Sequence, residues 1–178
     1  MIDVETLGSR AGCVMTEFAG LAFNMSDDAV DALYVNIDLQ SSLDQQFFVE
    51  ASTLKWWVST HSGMLAEVLT SKNSVHPRDF CESLKTWWID VSHEDTLVWA
   101  NGTHFDVAIV EAYFARNLLS LPWRYNKARD YRTIAHPLFD GIDLGLDDSQ
   151  FTVHDPVQDC ERQVAKLKAM WARLTAFE

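Results

Sequence analysis

Two carboxylates near the start of the chain, Asp3 and Glu5, stand two residues apart, interleaved with the apolar Ile2 and Val4. Alternation along a β-strand sends Asp3 and Glu5 to one face and Ile2 and Val4 to the other, into a core. Two like charges on one strand face repel unless a cation lies between them, and hard divalent cations such as Mg²⁺ take oxygen ligands of this kind. Further along, Asp106 follows Asn101-Gly102 at an expected helix start, and His154 precedes Asp159 with four residues between them. Imidazole titrates near neutral pH, which suits it to moving a proton beside a metal site. Each residue also has a plain structural reading. Asp-x-Glu recurs at Asp159-Cys160-Glu161, Asp106 and Asp159 both suit the first turn of a helix, and His154 can be an ordinary loop histidine.

Composition limits the classes of protein that can carry such a set. The chain has 178 residues, 48% of them hydrophobic and 22% charged, enough for one compact domain over residues 1–178 with its own core. A net charge of −12 argues against a surface that attracts nucleic acid everywhere, while leaving room for a local basic groove. Cys13, Cys81 and Cys160 have no metal-ligand spacing and read as reduced core residues. No apolar run reaches the length of a membrane span, and the acidic first residues lack the basic region of a signal peptide. The expectation is a soluble, cytoplasmic protein that does not engage a membrane.

The elements that must position these side chains follow from periodicity. Only two residues precede Asp3, so the first strand is expected to be short. Residues 13–23 and 30–39 read as an antiparallel hairpin around an Asn-Met-Ser-Asp-Asp turn, with the first strand as a mixed or central partner. Beyond residue 40 the pattern turns helical, with Ser52 and Ser62 as candidate caps. From Pro77, a stripe of Phe80, Leu84, Trp87, Trp88 and Val91 marks an amphipathic helix. Thr96 to Ala100 reads as a buried strand ending at Asn101-Gly102, followed by a helix after Asp106. Trp123 to Asn126 suggests another short strand, residues 128–139 another helix, and residues 137–152 a Gly- and Asp-rich loop. The last helix is marked by Asp155 as cap, Pro156 at its first position, and a stripe of Cys160, Val164, Leu167, Trp171 and Leu174. Strands followed by alternating helices and strands indicate an α/β domain with a mixed sheet flanked by helices.

Taken together and in this order, three motifs resemble the DEDDh branch of the DEDD exonuclease superfamily. They are Asp3-Val4-Glu5-Thr6, Asn101-Gly102-Thr103-His104-Phe105-Asp106, and His154-Asp155-Pro156-Val157-Gln158-Asp159. Lys55-Trp56-Trp57 and Arg129-Asp130-Tyr131-Arg132-Thr133 resemble the small bacterial and phage exoribonuclease-like group, which is itself similar to the phage exodeoxyribonuclease A type. The resemblance implies a ribonuclease-H-like fold, in agreement with the α/β order. It implies two divalent ions, Mg²⁺ or Mn²⁺, held by Asp3, Glu5, Asp106 and Asp159, with Asp3 as the bridge and His154 as general base. It further implies RNA or DNA with a free 3′ end as substrate, RNA favoured, released as nucleoside 5′-monophosphates, and it is compatible with a homodimer.

Contacts to substrate are read less directly. By resemblance, Leu7 wedges near the terminal base, the Thr6 backbone approaches the terminal hydroxyl, and Asn101 belongs to the second motif. Phe105 either stacks on a base or sugar or packs in the core. Arg124, Lys127, Arg129 and Arg132 form the densest basic stretch, available to a phosphate backbone or else a solvated face, with Asp130 as an alternative partner. Of Trp56 and Trp57, which could border the site, one is expected in the core. Three other readings stay open: a binding module on the same fold that has lost activity, a metal protein acting on another phosphoester, and a DNA-specific exonuclease. The complete acidic set with its histidine weighs against the first.

Overall fold

The computed structural model describes residues 1–26 and 31–176. The chain starts with three strands, β1 (Ile2–Thr6), β2 (Met15–Ala22) and β3 (Asp31–Asn36). β2 pairs antiparallel with both of its neighbours, and Asp3 lies opposite Ala19 while Glu5 lies opposite Glu17. The expected hairpin is therefore present with shorter arms, and the part of its turn at residues 27–30 lies outside the described residues.

Four helices follow: α1 (Leu39–Asp44), α2 (Ala51–Thr60), α3 (Ser62–Leu69) and α4 (Pro77–Val91). Asp38 caps α1 by accepting the Ser41 amide at 2.8 Å. Ser52 and Ser62 are not caps. Helix α2 begins two residues earlier, at Ala51 after Glu50, whose carboxylate instead accepts from Ser9 N at 3.0 Å and Ser9 Oγ at 2.7 Å and pairs with Arg10 at 3.2 Å. That bond set ties the loop after β1 to the start of α2, a tertiary demand that overrides local capping preference. Ser62 is the first residue of α3, after His61.

The second half alternates: β4 (Val98–Ala100), α5 (Asp106–Arg116), β5 (Ala128–Asp130), α6 (Arg132–Phe139) and α7 (Pro156–Thr175). Both later strands run parallel to their neighbours, giving the sheet order β3-β2-β1-β4-β5 with β1 at its centre. The strand expected at 123–126 is instead a turn closed by Lys127 N on Arg124 O at 3.0 Å, and pairing with β4 begins only at Ala128. The helix expected over 128–139 accordingly starts at Arg132. Within the loop expected at 137–152, α6 runs on to Phe139 and a short 3₁₀ turn forms at Asp148–Gln150.

Apolar side chains gather in two clusters. The larger holds Ile2, Val4, Phe18, Phe80, Leu84, Val107 and Tyr113, packing β1 and β2 with α4 and α5. The smaller holds Met1, Ala19, Leu21, Tyr131, Cys160, Val164, Leu167 and Met170, and seats α7. Trp171 and Leu174, expected in the stripe of this helix, are exposed, and Met170 takes the buried place. All three cysteines are buried and unpaired. The architecture is a ribonuclease-H-like α/β fold, a mixed sheet flanked by helices. No helix among the described residues is long and apolar enough to cross a membrane.

Candidate active site

Strand alternation works as expected on β1: Ile2 and Val4 enter the larger cluster, while Asp3 and Glu5 project beneath α7. From that helix Asp159 turns toward them, and one oxygen from each of Asp3, Glu5 and Asp159 lies within 4.8 Å of the others. Asp106 opens α5, only 4% exposed, and lines the same cleft. It reaches this place because Gly102, at φ 138°, turns the chain out of β4 in a conformation open to glycine. Asp130 fixes that turn from the adjacent strand end by accepting from Thr103 N at 2.9 Å and Thr133 N at 3.2 Å. The four carboxylates thus share one cleft of about 370 Å³.

Their protonation reflects crowding. Burial, then the charges of Asp106 and Asp159, hold the Asp3 carboxyl well above its usual range, against a hydrogen bond from Gln163 and the charge of Arg162. Burial and the neighbouring Asp3 push Glu5 up to about 9. Burial raises Asp106 to about 7, although backbone hydrogen bonds and Arg132 oppose it. An all-oxygen donor set whose members repel one another fits a hard divalent cation, which favours the ionised forms. Gln163 adds a second sign of fit: its Nε2 donates to Asp3 Oδ1 at 3.0 Å, while its buried Oε1 has no partner among the described residues.

His154 stands at the rim. Its backbone amide donates to Asp159 Oδ2 at 3.0 Å, and its Nδ1 lies 3.7 Å from Glu5 Oε1. Its backbone holds φ 64°, a left-handed conformation uncommon for a side-chain-bearing residue. The rings of His61, Trp56 and Trp57 surround the imidazole, with centroids 4.6, 5.2 and 5.8 Å away. Burial and the facing His61 lower its pKa below the usual value, against the charge of Asp159. Of the tryptophan pair, Trp57 is the core member, its Nε1 donating to Thr6 O at 2.9 Å; Trp56 is exposed along the cleft.

The expected substrate contacts divide. Thr6, Asn101, Phe105 and Arg132 line the cleft, with Arg132 Nε donating to Asn101 Oδ1 at 3.3 Å; Phe105 packs against the larger cluster as well. Leu7 is a correction: it is 2% exposed and lies in the core. Simple alternation would place it beside Glu5, but the register of β1 on β2 shifts between Glu5 and Thr6, and that irregularity turns Leu7 inward. Arg129 is exposed and stands apart from these residues. It is absent from the cleft and spends its Nη1 on the carbonyls of Asn126 and Ala128, at 2.9 and 2.8 Å. Arg124 and Lys127 are drawn away too, toward Glu94 at 3.9 Å and Asp95 at 3.6 Å. The cleft also contains Arg162 and Gln163, which the motifs did not single out. Their positions three and four residues beyond Asp159 were a usable signal, since those spacings share a helix face.

A ribonuclease-H-like sheet with carboxylates gathered at its central strand defines a class of nucleases, and the family comparison agrees. The family model of the 3′-5′ exoribonuclease Rv2179c-like domain matches residues 1–171, so the chain belongs to that family and is a nuclease acting on nucleic acid. No curated protein matches the chain at a significant level.

Proposed function

We propose that the protein is a metal-dependent 3′→5′ exonuclease of the DEDDh type, a single catalytic domain that trims RNA in preference to DNA and releases nucleoside 5′-monophosphates. The observation that carries this reading is the convergence of Asp3, Glu5 and Asp159 oxygens within 4.8 Å, with Asp106 in the same cleft. These four side chains would hold two Mg²⁺ or Mn²⁺ ions. When bound, such ions neutralise charge on the phosphoryl oxygens and activate water.

The remaining roles fall to the chain itself. His154, its pKa lowered by burial and His61, accepts the proton of the attacking water on Nδ1, the ring nitrogen turned toward Glu5. The hydrogen bond from its backbone N–H to Asp159 keeps the base in register with the carboxylates. Gln163 orients Asp3. Phe105 and the exposed face of Trp56 offer apolar surface to the terminal nucleotide, and Arg132 offers charge to its phosphate.

A time course on end-labelled RNA and DNA strands in Mg²⁺ tests the polarity and the substrate. A 5′-labelled strand gives a descending ladder, a 3′-labelled strand releases labelled mononucleotide at once, and RNA is consumed faster than DNA. Mononucleotide released from the 5′ end, or cuts in a circular strand, would refute the assignment.

A further inference from the structure

Arg162 follows Asp159 by three residues on α7 and forms an ion pair from its Nη2 to Asp159 Oδ1. One of the converging carboxylates is therefore held by a cation that belongs to the chain. The guanidinium is a cation, so a divalent ion that takes Asp159 must compete with it. Displacement does not carry Arg162 far. Its side chain is 27% exposed and lines the cleft, where Arg132 is the one other permanently cationic side chain among the described lining residues. A freed, partly desolvated guanidinium needs an anion that accepts two parallel N–H bonds, and a phosphodiester provides one. Asp3, Glu5 and Asp106 face the same space, but a metal ion claims them as well.

We propose that Arg162 is a stand-in cation that occupies Asp159 in the metal-free enzyme and passes to a substrate phosphate once metal takes the carboxylate. This inference rests on the metal-dependent nuclease reading above. It predicts that one side chain weakens metal binding and strengthens substrate binding, two effects of opposite sign that a merely structural residue does not produce.

The test is Mn²⁺ titration calorimetry without nucleic acid, on wild type, Arg162→Gln and Arg162→Lys, followed by steady-state kinetics on a labelled RNA strand at saturating Mn²⁺. Arg162→Gln should tighten the Mn²⁺ dissociation constant by roughly threefold to tenfold. It should also raise KM by about tenfold, as loss of a charge-assisted bond implies. Arg162→Lys keeps the charge without the fork, so its Mn²⁺ affinity should stay near wild type while KM still rises, and it serves as the control should the glutamine variant fold poorly. Weaker or unchanged Mn²⁺ binding in Arg162→Gln, or Mn²⁺ binding in Arg162→Lys as tight as in Arg162→Gln, would overturn the competition. An unchanged KM would overturn the transfer to phosphate. A wild-type protein that takes up no Mn²⁺ would remove the metal-dependent reading itself, and this inference with it.

Discussion

The two walls of the cleft are built in different ways. The carboxylate wall stands on the best-supported parts of the fold: Asp3 and Glu5 on the central strand, Asp106 at the start of α5 and Asp159 in the first turn of α7, which packs on the sheet through Cys160, Val164 and Leu167. The histidine wall is a loop end. Residues 140–153 are almost all exposed, and His154 is held by one backbone bond to Asp159, its own uncommon φ, and a ring of aromatic neighbours. Local stability follows packing density and the protection of backbone hydrogen bonds, so the second wall opens at lower cost than the first. The lesson is a division of labour: the carboxylates are gathered where the scaffold is rigid, and the proposed proton acceptor is hung where it can adjust to a substrate.

The largest break comes from removing a ligand from the rigid wall. Under the proposed mechanism, Asp3→Asn should abolish hydrolysis, while the fold persists or gains stability without metal. Burial and like charges press on this carboxylate, and a neutral isostere of the same shape relieves them. Thermal melts with and without Mn²⁺ check the pair of effects: the wild-type melting temperature rises on metal addition through binding to the native state, and the mutant's rise is much smaller. Equal shifts in both proteins would place the metal elsewhere.

On the loop wall the same operation should separate catalysis from metal binding. His154→Ala is expected to lower turnover by about 10²–10⁴-fold, the usual worth of a general base, and to leave Mn²⁺ affinity close to wild type. Calorimetry and single-turnover rates on the one variant measure both quantities. A turnover within twofold of wild type would take His154 out of the reaction. A large loss of Mn²⁺ affinity would show instead that the loop orders the ligands, erasing the contrast between the walls.

Acidity offers a subtler probe of the rigid wall. Glu5 keeps its proton in the fold up to about 9, whereas the unfolded chain releases it near 4.5. Between those values the folded state binds more protons than the unfolded state, so stability falls as pH rises. Asp106, raised to about 7, and Asp3 act in the same direction. Without metal, the melting temperature should decline by several degrees between about pH 5 and pH 9 (window from Glu5). Saturating Mn²⁺ should flatten the slope, because metal binds the deprotonated ligands. A flat metal-free profile would mean that the carboxylates are not crowded.

The rigid wall was the more legible in sequence. Alternation placed Ile2 and Val4 in the core and Asp3 and Glu5 opposite them, and Asp155-Pro156 marked the start of α7; Asp155 does accept from Val157 N and Gln158 N, each at 3.1 Å. What sequence hid was non-local. The Glu5/Thr6 irregularity that buries Leu7 comes from register on β2. The start of α2 answers to Ser9 and Arg10, not to Ser52. A dense run of basic residues did not become a basic face, because partners at Glu94, Asp95 and the local carbonyls divide it. Arg162 and Gln163 were within reach of helical spacing, but no chemistry-bearing motif pointed to them.

That divided basic run gives the smallest effect and the sharpest pairing of variants. Arg132 lines the cleft near Asp106, and its guanidinium donates to the neutral amide of Asn101, which leaves its charge available to a phosphate. Arg129, three residues earlier, is turned to backbone carbonyls away from the cleft. Arg132→Ala should raise KM by about tenfold, near the worth of one charge-assisted hydrogen bond, with a smaller change in kcat. It should also make the salt dependence of substrate binding shallower by about one counterion, since each phosphate contact contributes a fixed slope. Arg129→Ala should stay within about twofold of wild type in both parameters and keep the full slope, as a solvated side chain without substrate contact does. The measurement is KM on a short single strand at several salt concentrations for the two variants side by side. Should Arg129→Ala prove the more damaging, substrate would have to run along the edge of β5, and the cleft between the two walls would not be its only track.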